Sequence, residues 1–186
     1  MRRFLPSVAA TALAVVLLFL AILPLSSCGR EAPPPAASEV LAVMLEAMED
    51  TAQLTPDGVI RLTAAPSDSP DCLTGTFLAA LYGPSAHGLL GEGGEQTPAV
   101  MDVALFLSMT AYPCELAVFL CADGDTARAV AMLCQSRLDT VARGHKESPW
   151  AALAAGGRVA IRGNYVLLAL CEDPEPPLTR AIGLLP

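Results

Sequence analysis

The first stretch of this chain decides where a folded body can begin. Arg2 and Arg3 precede an apolar run from about Phe4 to Leu25, and between Val8 and Leu25 there is no charge. Thr11 is the only strongly polar side chain in that interval. Such a run enters a bilayer rather than a globular core, while the two arginines hold the start of the chain on the cytoplasmic side. After Cys28 the composition changes abruptly to Gly29-Arg30-Glu31-Ala32 and three prolines. The segment therefore reads as an export signal, and a soluble fold is expected only from the residues beyond it.

Leu25, Ser26, Ser27 and Cys28 resemble the lipobox of bacterial lipoprotein signals, in which an aliphatic residue and two small residues precede a cysteine. The resemblance implies a diacylglyceryl thioether on Cys28 and cleavage just before it. Residues 1–27 are then a signal peptide, 28–38 a proline-rich tether, and 39–186 a single extracytoplasmic domain. The alternative is an uncleaved transmembrane helix with Cys28 incidental, since the run is near the roughly 20 residues that span a bilayer. Both readings place residues 30–186 outside the cytoplasm and tied to the cell membrane. Two acyl chains give stable anchoring where one is marginal.

Removing residues 1–27 leaves 159 of the 186 residues, enough for one domain with a real core. It also takes away two of the eleven basic residues and none of the nineteen acidic ones, so the net charge moves from −8 to −10. Such a surface repels nucleic-acid phosphates and anionic lipid head groups, and nucleic acid is excluded as a partner. Five cysteines remain besides Cys28: Cys72, Cys114, Cys121, Cys134 and Cys171. An odd number cannot all pair within one chain. Their apolar settings favour small buried hydrophobes over disulfides, and no CxxC spacing supports zinc or thioredoxin-like chemistry.

Hydrophobic periodicity predicts a helix from Glu39 to about Thr51, with Val40, Val43, Met44, Ala47 and Met48 on its buried stripe. A short strand is possible at Val59–Leu62. Ser69-Pro70-Asp71 signals a second helix, which ends at Tyr82-Gly83-Pro84. Residues 83–98 are glycine-rich and read as a long surface loop. The Gly91-Glu92-Gly93-Gly94 stretch lacks the lysine and strand-to-helix context of a phosphate loop. Val100–Ser108 and Glu115–Ala122 predict an antiparallel pair, and the second is apolar on both alternating sets, as a central strand is. Asp123-Gly124-Asp125 opens a long helix to about Arg143, and Ser148-Pro149-Trp150 a short one ending at Gly156-Gly157. Arg158–Arg162 and Tyr165–Cys171 flank a two-residue hairpin loop, Gly163-Asn164. A last short helix comes after Pro176-Pro177. The order argues for an α+β domain with a mainly antiparallel sheet of about four strands covered by helices.

Glu115-Leu116-Ala117-Val118-Phe119, Ala122-Asp123 and Arg162-Gly163-Asn164-Tyr165-Val166-Leu167-Leu168, with Leu81-Tyr82-Gly83, resemble one known family. It is a family of small Gram-positive bacterial lipoproteins carrying a domain of unknown function, the DUF 4358 type. The resemblance spans roughly residues 40–183, with its specific part at 115–171. Family members often place a lysine near the end of the second strand, where this chain has Leu120-Cys121. The resemblance implies no activity, because none is established for the family.

No catalytic set, metal site or cofactor site is nominated by spacing. His87 and His145 have neither a second histidine nor a cysteine at ligand spacing. Glu92 and Glu95, Asp123 and Asp125, and Glu172, Asp173 and Glu175 cluster in three loops without the spacing of a calcium loop, and read as solvated or helix-capping acids. Tyr82, Tyr112, Trp150 and Tyr165 read mainly as core, with residues 83–98 and the surroundings of Trp150 the first places to seek a partner site. The expectation is a non-enzymatic binding module of the bacterial cell envelope, held to the membrane through a lipid on Cys28 and contacting an unidentified envelope protein or ligand. A small exported enzyme or thiol-redox protein is the alternative.

Overall fold

The computed structural model describes residues 33–91 and 98–186. The signal segment, Leu25, Ser26, Ser27, Cys28, residues 29–32 of the tether, Glu92 and Glu95 lie outside the described residues. Among the described residues no helix is long and apolar enough to cross a membrane. Residues 34–186 make one compact unit.

The sheet is built around the strand whose two alternating sets are both apolar. β1 (Gly58–Leu62), β2 (Val100–Ser108), β3 (Glu115–Cys121), β4 (Arg158–Arg162) and β5 (Tyr165–Leu170) stand in the order β1-β2-β3-β5-β4. Every neighbouring pair is antiparallel. β3 is at the centre and buried at every position. Because side chains alternate across a strand, Leu116, Val118 and Leu120 enter one core, and Ala117, Phe119 and Cys121 the other. An antiparallel sheet apolar on both faces must be covered on both. α1 (Ala37–Asp50) and α5 (Glu175–Leu184) cover the first face; α2 (Gly75–Tyr82) and α3 (Gly124–Gly144) cover the second.

The α+β class and antiparallel sheet stand as read, with five strands rather than about four. The added strand is β1, whose pairing with β2 from Gly58↔Ser108 to Leu62↔Ala104 makes it an edge. Met44 and Met48 are fully buried in the first core. α1 begins at Ala37, so the last residues of the stretch read as a tether belong to the folded unit. The Ala37 amide donates to Asp102 Oδ2 at 2.8 Å, and the Tyr165 hydroxyl donates to the Pro35 carbonyl at 2.5 Å. A register irregularity between Val100 and Asp102 accompanies this docking. Thr63 holds the other Asp102 oxygen at 2.6 Å.

The second helix starts later than Ser69-Pro70-Asp71 suggested. Ser69 closes a turn, accepting from the Asp71 amide, and Cys72 bridges to Leu62. Thr74 is the N-cap of α2, accepting from the Phe77 amide, and Gly83 ends the helix at φ +93°. A 3-10 helix, Pro84–Leu90, occupies the first half of the stretch read as loop. Asp123 caps α3 by accepting from the Thr126 amide at 2.7 Å. α4 (Ala151–Gly156) leads into β4, and Gly163 takes φ +55° in the β4–β5 turn. The two prolines at 176 and 177 sit inside the first turn of α5, where their missing amides cost nothing.

Two glycines give opposite expectations. A Cβ at Gly58 would lie 2.5 Å from the Phe106 ring and 2.8 Å from the Leu107 carbonyl oxygen, whereas one at Gly183 in α5 meets nothing within 4 Å. We expect Gly58→Ala to destabilise the fold by about 1–3 kcal/mol through overpacking. Gly183→Ala should be neutral or stabilising by up to about 1 kcal/mol through helix propensity. Urea denaturation of the two variants checks both signs.

Candidate functional site: a buried carboxylate beside a cavity

Glu115 stands at the head of β3, and its parity turns it to the second face, toward α2 and α3. It is the one buried charged residue among the described residues, with 2% of its surface exposed. A carboxylate held there must be compensated, because an unpaired buried charge costs several kcal/mol. Two partners do so. The Tyr82 hydroxyl, from the end of α2, donates to Oε1 at 2.7 Å. Arg137, from α3, donates Nε to Oε2 at 3.0 Å, and one of its terminal nitrogens lies 3.0 Å from the same oxygen as an ion pair. Tyr82 also meets the Phe119 ring edge-on at 5.5 Å. The constellation ties β3 to both helices of the second face.

Burial shapes the acid–base properties around it. Burial first, and the Glu115 charge second, hold the Tyr82 hydroxyl well above its ordinary pKa. The same two causes raise the Cys134 thiol. Burial pushes Cys114 up to about 12 and Cys121 to about 11, each helped by a neighbouring carboxylate. Burial, then the neighbouring Cys114, pushes Cys171 to about 12. These thiols stay protonated at neutral pH, which makes them poor nucleophiles.

Beside Glu115 and Arg137 opens a cavity of about 370 Å³. Ser108, Thr110, Tyr112 and Cys114 from the β2–β3 connection line one side of it, and Thr140 and His145 at the end of α3 another. Tyr112 is anchored edge-on against Trp150 at 5.0 Å, and Trp150 is partly exposed. The Tyr112 hydroxyl is buried close to the Glu172 carboxylate. Burial and, after it, the nearby Glu172 carboxylate raise its pKa. His145 Nδ1 lies 3.1 Å from the Ser148 hydroxyl.

The residues singled out from sequence are scattered over the unit. Asp123 and Asp125 serve the start of α3: Asp123 caps it, and Asp125 pairs with Arg128 one turn on. The Thr126 amide lowers the Asp123 pKa. Asp173 accepts from the Glu175 amide at the start of α5. His87 is exposed in the 3-10 helix, on a different element from His145. Tyr165 fastens the N-terminal entry. Tyr82 bonds Glu115, and Tyr112 lines the cavity beside that residue with Trp150 packed against it. Glu115 and Arg137 were not singled out, although a lone acid heading an otherwise apolar strand is a visible signal. Arg137 lies next to Leu138 and three residues after Cys134, both on the buried stripe of α3. Among the described residues, no three histidine, cysteine or acidic side chains converge as a metal site.

No protein-family model, curated protein or solved structure matches the chain.

Arg137→Met leaves Glu115 buried with Tyr82 alone and should cost about 3–5 kcal/mol. Glu115→Leu combined with Arg137→Met should recover most of that loss, and a double-mutant cycle by denaturant unfolding measures the coupling. The thiols and Tyr82 also fix a pH dependence. All have folded pKa values above their unfolded ones, so above about pH 9 the unfolded chain gives up protons that the native state retains. The unfolded state then binds fewer protons, and stability falls as pH rises. We expect the unfolding midpoint, in reducing buffer, to fall steeply between pH 9 and 11. Each of Cys114→Ala and Cys171→Ala should flatten that fall by about one proton's slope.

Proposed function

We propose that this protein is a lipid-anchored binding module on the extracytoplasmic face of a bacterial membrane, and that the cavity beside Arg137 seats its ligand. The anchor rests on Leu25-Ser26-Ser27-Cys28 at the end of the apolar run, with Cys28 as the attachment residue. The resemblance to small Gram-positive lipoproteins supports the same location. The observation that carries the binding reading is the state of the polar groups at the cavity. Glu115 is engaged on both oxygens, so it holds Tyr82 and Arg137 in position. Arg137 spends its Nε–H on Glu115, which leaves donors of the guanidinium for a ligand, and remains 19% exposed at the cavity wall. A volume of about 370 Å³ suits a small ligand with one acceptor group for Arg137 and an apolar edge for Tyr112 and Leu107.

Metabolic labelling with a fatty acid tests the anchor: wild type should label and Cys28→Ala should not. Label that persists in the variant, or is missing from wild type, overturns it. Capture from membranes with the intact protein, against the Cys28→Ala control, tests the binding role. Turnover of an envelope substrate by the purified chain, lost on changing one polar cavity residue, would replace the binding reading with an enzymatic one.

A further inference from the structure

Two of the five cysteines of the folded unit face each other across the central pair of strands. The β3–β5 register runs from Leu120↔Tyr165 to Glu115↔Leu170, so one more step places Cys114 opposite Cys171. The kind of pair is fixed by the backbone. The Cys121 amide donates to the Asn164 carbonyl directly opposite it, which makes odd-numbered β3 positions the hydrogen-bonded pairs of this ladder. Cys114 therefore falls at a non-hydrogen-bonded position with respect to β5. Its carbonyl accordingly points the other way and accepts from the Ser108 amide of β2 at 2.9 Å. Opposed residues at such positions have Cα atoms about 4.5 Å apart and the closer of the two side-chain spacings. That lies within the separation a disulfide requires, roughly 4.4–6.8 Å between Cα atoms. Both residues share the face packed under α1 and α5, both are buried, and both are free thiols here.

We propose that Cys114 and Cys171 are a thiol–disulfide pair, oxidised to a cross-strand bond by exchange with a disulfide reagent or a disulfide-bearing partner. The balance is closed. A cysteine thiolate attacks the reagent's S–S bond, forming a mixed disulfide and releasing one thiol; the second cysteine displaces the other. One S–S bond forms, one breaks, and the two protons and two electrons leave on two reagent thiols. The Cys171 thiol now donates to the Asp173 carbonyl at 3.3 Å, a contact that oxidation removes. Cys72 on the β1 side, and Cys121 and Cys134 in the other core, are left as thiols, which accounts for the odd count. Burial keeps both thiols protonated in the folded state, so exchange is slow there and fast while the strands assemble.

The test is peptide mapping of the full-length chain in detergent. The protein is treated in the native state with oxidised glutathione over days, and in parallel refolded from denaturant in a glutathione redox buffer, then acid-trapped. The expected product is a single Cys114–Cys171 linked peptide with Cys72, Cys121 and Cys134 alkylatable. The oxidised protein should melt about 10 °C above the reduced one, because the bond closes a loop of more than fifty residues. In Cys171→Ala that difference should vanish. Native material in which both cysteines remain alkylatable after both treatments, or pair with other cysteines, overturns the proposal. The mapping reads nothing about ligand binding, so it can fail while the cavity reading stands, and the reverse.

Discussion

β3 is buried on both faces, and the rest of the fold answers that constraint. A strand reading Glu-Leu-Ala-Val-Phe-Leu-Cys has no face to offer to water. It takes the centre of the sheet with β2 and β5 on either side, and the sheet needs a helical layer over each face. The long helix α3 comes after β3 by a two-residue connection and returns over the second face, and β4 and β5 then come back as a hairpin that seats β5 beside β3. The edges fall to β1 and β4, the two strands that carry arginines. Their exposed positions and charges discourage pairing with other chains.

Glu115 is where that logic is broken, and the break has a structural use. A leucine in its place would bury as well and remove the cost of desolvating a carboxylate; buried ion pairs are often neutral or worse than apolar substitutes. What the carboxylate adds is direction. Apolar contacts between α2, α3 and the sheet tolerate sliding, while the hydrogen bonds from Tyr82 and Arg137 Nε accept one arrangement. The same pair sets the cavity's chemistry, because it delivers a partly exposed guanidinium to a wall that also carries hydroxyls, Tyr112, Cys114, His145 and aliphatic groups.

Elements whose cause is local were legible in the sequence. The two apolar sets of β3, the Asp123 cap, the buried stripe of α3 through Cys134 and Leu138, and the Gly163-Asn164 turn are all set by neighbours within a few residues. β1 was only half legible, since Gly58–Leu62 is short and partly exposed and is a strand because β2 offers it an edge. The start of α2 was misplaced for a similar reason. Ser69-Pro70-Asp71 has the composition of a helix start, but pairing of residues 71–73 with Leu62 keeps that segment extended until Thr74. The site itself could not be read in advance. Tyr82 and Arg137 lie 33 and 22 residues from Glu115 and meet it only through sheet order and helix packing.

The register also orients the unit. Asp102, Leu120 and Tyr165 lie at one end of the central strands, and there Pro35 and Ala37 are tied down as the chain enters the fold. Ser108, Cys114, Glu115 and Leu170 lie at the other end, where the cavity opens. β3 spans about 20 Å between them at the usual strand rise. Pro35 and Ala37 are held at the Asp102–Tyr165 end, and the cavity lies at the far end of the sheet. Without the Ala37–Asp102 and Pro35–Tyr165 bonds, the chain would lose that fixed entry point. The docking of these few residues therefore fixes where the backbone enters the folded unit, at the end of the sheet opposite the cavity.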